Sequence, residues 1–194
     1  MIKDLRYYAK ISKVGDVARR YFVMNAFDGT LTILGILLGS YFVVGVQPHF
    51  VVSAGLGAVF AMVISGFAGT FMTETAERKN RLTEIEKMLL RKLKGTEQEK
   101  SAVFASIYAA LVDGTSPALA ALICILPYIA GLFGFLQGEI IFYSSVLIST
   151  VILFTLGFYL GKLSREDTIL MGLKMVFMGL IIGILSLMID FLFK

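Results

Sequence analysis

The chain has 194 residues, 57% of them hydrophobic and 16% charged, with a mean hydropathy of +0.83. A soluble domain is about half apolar and about a quarter charged, so this composition excludes an ordinary water-soluble globule. The lone Cys124 excludes an intramolecular disulfide framework or a CxxC site, and the +4 net charge reads as a membrane-topology signal with no nucleic-acid partner.

Residues 1–20 set Lys and Arg between Ile2, Leu5, Tyr8, Ile11, Val14 and Val17, which recur at every third position. That pattern predicts a short interfacial helix on the inner leaflet, with Gly15 breaking it before the first span. The apolar run that follows is too long for the core of a cleaved secretory signal.

Runs of about 20 apolar residues are long enough to cross a bilayer as helices. They are expected at 21–45, 50–73, 102–127, 140–161 and 168–191. Backbone groups in lipid must be satisfied internally, which leaves helices or closed barrels, and these runs are too long and too evenly apolar for barrel strands. The expected fold is an all-α integral membrane protein, one transmembrane domain over 1–194 with five helices. Four GxxxG spacings, Gly35/Gly39, Gly134/Gly138, Gly157/Gly161 and Gly179/Gly183, read as helix-packing contacts.

Lys and Arg concentrate in residues 1–20, with six, and in 74–101, with eight, while 46–49 and 128–139 carry none. The positive-inside bias therefore predicts a cytoplasmic N-terminus, a cytoplasmic 74–101 segment and an external C-terminus. In that segment Leu82, Ile85, Leu89 and Leu93 form one helical stripe. Glu74, Glu77, Glu84 and Met88, with Arg81 among them, form its neighbour. The segment is expected to extend the second helix and stop at Gly95. It reads either as a solvated amphipathic helix or as a weak metal-collecting arm.

Two Asp-Gly-Thr triplets, at Asp28 and at Asp113, lie inside apolar runs 85 residues apart, which suggests an internal repeat. A central carboxylate costs about 3 kcal/mol on the insertion scale, so an ionisable residue there is a functional hypothesis. Gly29 and Gly114 are expected to loosen the helix beside each acid. Pro117 removes the helical partner of the Asp113 carbonyl. Oxygen ligands with softer neighbours suit Mn2+ and Fe2+. The candidate metal residues are Asp28, Asn25, Asp113, Thr32, Met62 and Met72, with Met24 and Thr30 near them. Met171, Met175 and Met178 follow one face of the fifth span and read as flexible core packing. Lys174 lies among them as an internal partner for an Asp, or snorkels to the surface. A carboxylate in a low-dielectric site resists ionisation, so protons and a metal would compete for it.

"RYFVMNAFDGTLTILGILLG" resembles the first span of the vacuolar iron transporter family, where Asn-Asp-Gly opens a similar run. "SGFAGTFMTETAER" resembles that family's second-span Ser-Met-Ala-x-Gly-Glu-Tyr stretch, and "SPALAALICILPY" its third-span Pro, Ala-Ala and Pro-Tyr pattern. The resemblance covers roughly 16 to 190. It implies a homodimer that exports Fe2+ and Mn2+ from the cytoplasm by exchange with H+, with Asp28 as the transport ligand and no permanently bound cofactor. It also suggests the cell membrane of a prokaryote.

The departures are specific. Phe27 stands where the family has Asn, Gly66 where it has a pore Met, and Thr70 where it has Glu. Met62 or Met72 would have to replace the missing thioether. The 74–101 segment is also shorter than the family's Glu-rich domain. Competing readings are a transporter of another metal or substrate, a membrane scaffold, and an intramembrane aspartyl protease, for which Pro117-Ala118-Leu119 would supply the PAL sequence. Against the enzyme, Gly-x-Gly-Asp is missing and Pro117 follows Asp113 on the same helix.

Overall fold

The computed structural model describes residues 14–193, and these form five helices: α1 (Val14–Val44), α2 (Pro48–Leu89), α3 (Glu97–Leu132), α4 (Ile140–Ser164) and α5 (Thr168–Phe193). All five are long and apolar enough to cross a membrane. The expected interfacial helix lies outside the described residues as far as position 13. Gly15 sits inside α1, which continues unbroken into the first apolar run.

The helix ends follow from local chemistry. Gly45 closes α1 at φ 73°, and its N–H donates to the Tyr41 carbonyl at 3.0 Å. Pro48 then opens α2, where a first helical residue needs no N–H partner. α2 ends at Leu89 rather than at Gly95. Leu90 takes the left-handed conformation at φ 51°, and the Arg91 N–H reaches back to the Glu86 carbonyl at 3.2 Å, a Schellman closure. The Glu86 carboxylate accepts the Leu93 N–H at 2.6 Å, which holds the turn. At the head of α5, Asp167 accepts the N–H groups of Ile169 and Leu170 at 2.9 and 3.2 Å, a side-chain N-cap.

The interior is small and partly polar. Thr30, Ser106, Ser116, Cys124, Ser145 and Ser149 are fully buried. Leu, Ile and Phe are abundant outside, and α5 presents Leu173, Phe177, Leu180, Ile184 and Leu187 to its surroundings. Water would penalise that arrangement, whereas lipid does not, and helices in lipid associate through small residues that let backbones approach.

Two compact units divide the chain. One comprises residues up to Phe22 with Val63–Ser116, the other Val23–Met62 with Pro117 onward. In the second unit, a Cβ on Gly157 would lie 2.4 Å from the Met171 carbonyl oxygen, and one on Gly161 would lie 2.7 Å from the Thr168 Cα. This GxxxG pair is therefore the α4–α5 contact. Gly134 and Gly138 do something else. They sit in the α3–α4 connection at φ 78° and 64°, so they serve the turn and not helix packing.

A methyl at Gly157 has only backbone in its way. Gly157→Ala is expected to destabilise the protein by about 1–3 kcal/mol through overpacking. Gly57→Ala, where a Cβ meets nothing within 4 Å, should be neutral or slightly stabilising. Thermal unfolding midpoints in detergent check the contrast.

Candidate functional site

The two triplets end in opposite environments. On α1, Ala26, Gly29, Thr30, Ile33 and Leu37 are buried, the 3–4 spacing of one helix face. Gly29 fixes that face: a Cβ there would lie 2.4 Å from the Pro117 carbonyl oxygen of α3. Thr30 is buried but satisfied, donating to the Ala26 carbonyl at 2.8 Å. The rotation leaves Met24, Asp28 and Thr32, each four residues from the next, exposed on another face, with Asn25 half-buried beside them. A thioether, a carboxylate and a hydroxyl thus form a line midway along an apolar helix. An ionisable side chain in mid-span is costly, which makes this line the candidate site on α1. Further along α1, Gly35, Gly39 and Val43 join Phe50 and Ala54 of α2 around an apolar groove of about 340 Å3.

Asp113, in the other unit, is buried. Its Oδ2 accepts the Thr70 hydroxyl at 2.8 Å. Gly66 makes room for it, since a Cβ at 66 would come within 3.1 Å of that same oxygen. A Cβ on Gly114 would lie 2.8 Å from the Val63 carbonyl oxygen. Gly29 and Gly114 are therefore points of close helix approach. The loosening expected beside the acids does not occur: α1 and α3 run through both triplets, and α3 also runs through Pro117 and Pro127.

The arm residues are largely committed to ion pairs. Glu74 is buried, accepting the Tyr21 hydroxyl at 3.1 Å and the Arg78 guanidinium at 2.9 Å. Glu77 takes Arg81 at 2.6 Å. Glu84 and Met88 are exposed. Met72 is exposed and Met62 half-buried. Met175 packs against the cluster of Ala26, Ala120 and Leu156, as the core reading of its stripe expects, while Lys174 and Met178 are exposed. Among the described residues no three of His, Cys, Asp and Glu gather into a group able to hold a metal. Sequence reasoning missed Thr70 as a partner of Asp113 and Tyr21 as a partner of Glu74. For Thr70, its place one helical turn beyond Gly66 was the available signal.

Thr70→Val keeps the shape of the side chain but removes a donor from a buried carboxylate. It is expected to cost about 1–3 kcal/mol, and Thr70→Ser should recover most of it. Comparing the thermal stability of the two variants in detergent tests the hydrogen bond apart from the volume.

No family model matches the chain. It is similar to the uncharacterized protein MJ0645 of Methanocaldococcus jannaschii, with 32% identity over 179 residues that cover 91% of this chain and 90% of that protein. With that identity over nearly the whole of both, the chain belongs to the same family as MJ0645.

Proposed function

We propose that the protein exports a divalent metal, Fe2+ or Mn2+, from the cytoplasm in exchange for H+, as a two-fold homodimer in the cell membrane of a prokaryote. The observation that carries this reading is the exposed line of Met24, Asp28 and Thr32 halfway along an apolar helix. Carboxylate and hydroxyl oxygens suit Mn2+, and a neighbouring thioether favours Fe2+. The resemblance of the first three spans to the vacuolar iron transporter family supports the same assignment. The Lys and Arg excess at 1–20 and 74–101 supports a cytoplasmic location for those segments.

In the dimer, the α1 lines of the two subunits face each other, and Gly35 and Gly39 allow the backbones to come close. Two Asp28 carboxylates near the axis repel, so at least one holds a proton when no metal is bound. A divalent cation neutralises both and releases that proton. Acid on the far side recharges the site and drives the cycle, while acid on the loading side competes with the metal.

Asp113 answers the departures from the resembled family. It lies against Gly66 and Thr70, the two α2 positions where that family carries Met and Glu. Its carboxylate supplies from α3 the charge that α2 lacks. The arm adds weak metal capture through Glu84 and Met88, because Arg78 and Arg81 already engage Glu74 and Glu77.

Two experiments test this reading. In proteoliposomes, wild-type flux of Fe2+ or Mn2+ should rise when the receiving side is acidified. Asp28→Asn should fall to background while eluting as a folded protein; wild-type flux in that variant would remove Asp28 from the path. Separately, Met24→Cys and Thr32→Cys, each in a Cys124→Ala background, should cross-link between subunits on oxidation, and Mn2+ should reduce the yield. A clear dimer with no cross-link at either position would place α1 away from the two-fold axis.

A further inference from the structure

A polar cavity of about 290 Å3 lies where α1 and α2 leave their apolar runs, within the first unit. Arg20 and Tyr21 of α1 and Glu74, Glu77, Arg78 and Arg81 of α2 line it. Three guanidinium groups against two carboxylates leave one positive charge in excess.

Both carboxylates are already engaged. Glu74 Oε1 accepts the Tyr21 hydroxyl at 3.1 Å, and its Oε2 accepts Nε and Nη2 of Arg78 at 3.0 and 2.9 Å. Glu77 Oε1 accepts Nη2 of Arg81 at 2.6 Å. A cation entering the cavity would meet carboxylates already paired with guanidinium groups, and surplus positive charge. An anion would meet guanidinium edges, each of which carries five N–H donors.

The walls differ in rigidity. Glu74 is only 7% exposed, so the Tyr21–Glu74–Arg78 contacts form a fixed frame. The Glu77–Arg81 pair is mostly exposed and therefore weak, so Arg81 can turn towards a better acceptor at little cost. Arg20 lies over the Tyr21 ring, 5.5 Å from its centroid, and is itself exposed.

The depth of the cavity narrows the choice of anion. On α1 the apolar run begins just after Arg20, and on α2 the polar stretch begins at Thr73 and Glu74. Tyr and Arg at such boundaries sit at the head-group level, where phosphates are concentrated. The planar guanidinium fork matches phosphate oxygens, and basic pockets beside membrane helices take anionic head groups.

We propose that this cavity binds a phosphate group at the membrane surface through Arg20, Arg78 and Arg81, with Tyr21 and Glu74 holding Arg78 in place. The group comes either from the head group of an anionic phospholipid or from free phosphate. This proposal uses none of Met24, Asp28 and Thr32, and its test does not read transport.

The test uses the full chain in detergent. Native mass spectrometry compares phosphatidylglycerol with phosphatidylcholine, and thermal shift reads inorganic phosphate. Wild type is set against Arg20→Gln/Arg81→Gln, which leaves the buried Glu74–Arg78 frame intact. Preferential phosphatidylglycerol adducts assign a lipid, and stabilisation by inorganic phosphate alone assigns a soluble ligand. In either case the double variant should bind about tenfold or more weakly with an unchanged unliganded melting temperature. If the double variant melts early, Arg81→Gln alone carries the comparison. Equal adducts with both lipids and no response to phosphate would overturn the proposal, as would wild-type binding in the variant.

Discussion

Helices in hydrocarbon gain nothing by hiding Leu from lipid, so they hold together where their backbones come close. This constraint sets the rest of the molecule. Gly29 lies against the Pro117 carbonyl, Gly114 against Val63, and Gly157 against Met171, each with no room for a Cβ. Each contact fixes the rotation of a helix about its axis. Rotation decides which side chains face inward, and so decides what becomes of the two mid-span acids.

The outcomes at those acids are opposite, although their triplets are identical. At Asp113 the helix turns the carboxylate inward, into space left by Gly66 and under the Thr70 hydroxyl. A buried polar group is tolerable when it is hydrogen-bonded, as this one is by Thr70. At Asp28 the glycine that follows is the residue pressed inward, and the acid emerges with Met24 and Thr32 on an exposed line. The third member inverts too: Thr30 is buried, while Thr115 is exposed. Shared letters at 28–30 and 113–115 therefore do not amount to shared surroundings, and the repeat they suggested draws no support from the environments of the two triplets.

Charge at the polar end follows a different logic. Glu74 and Glu77 read as possible metal ligands because they share a stripe, yet each has an Arg four residues later on the same stripe. An i, i+4 carboxylate–guanidinium pair is the nearest partner such a helix offers, and both carboxylates take it. The Tyr21 hydroxyl then joins α1 to this pair through Glu74. The same contacts turn part of an arm read as acidic into a cavity lined with guanidinium groups.

The sequence by itself determined five membrane-length helices and their approximate ends, because apolar run length and helix rise fix how much chain crosses a bilayer. It also singled out Asp28 and Asp113, because acids in apolar runs are costly wherever they point. It placed the end of α2 at Gly95. The chain turns instead at Leu90, since a Schellman closure and the Glu86 carboxylate stabilise a turn there without glycine. Only the tertiary structure decided that Gly157 and Gly161 pack helices while Gly134 and Gly138 shape a turn. It alone decided that Asp113 is covered while Asp28 is exposed. The physical reason is the same in each case: periodicity tells which residues share a face, but the direction of that face depends on neighbouring backbones far away in sequence.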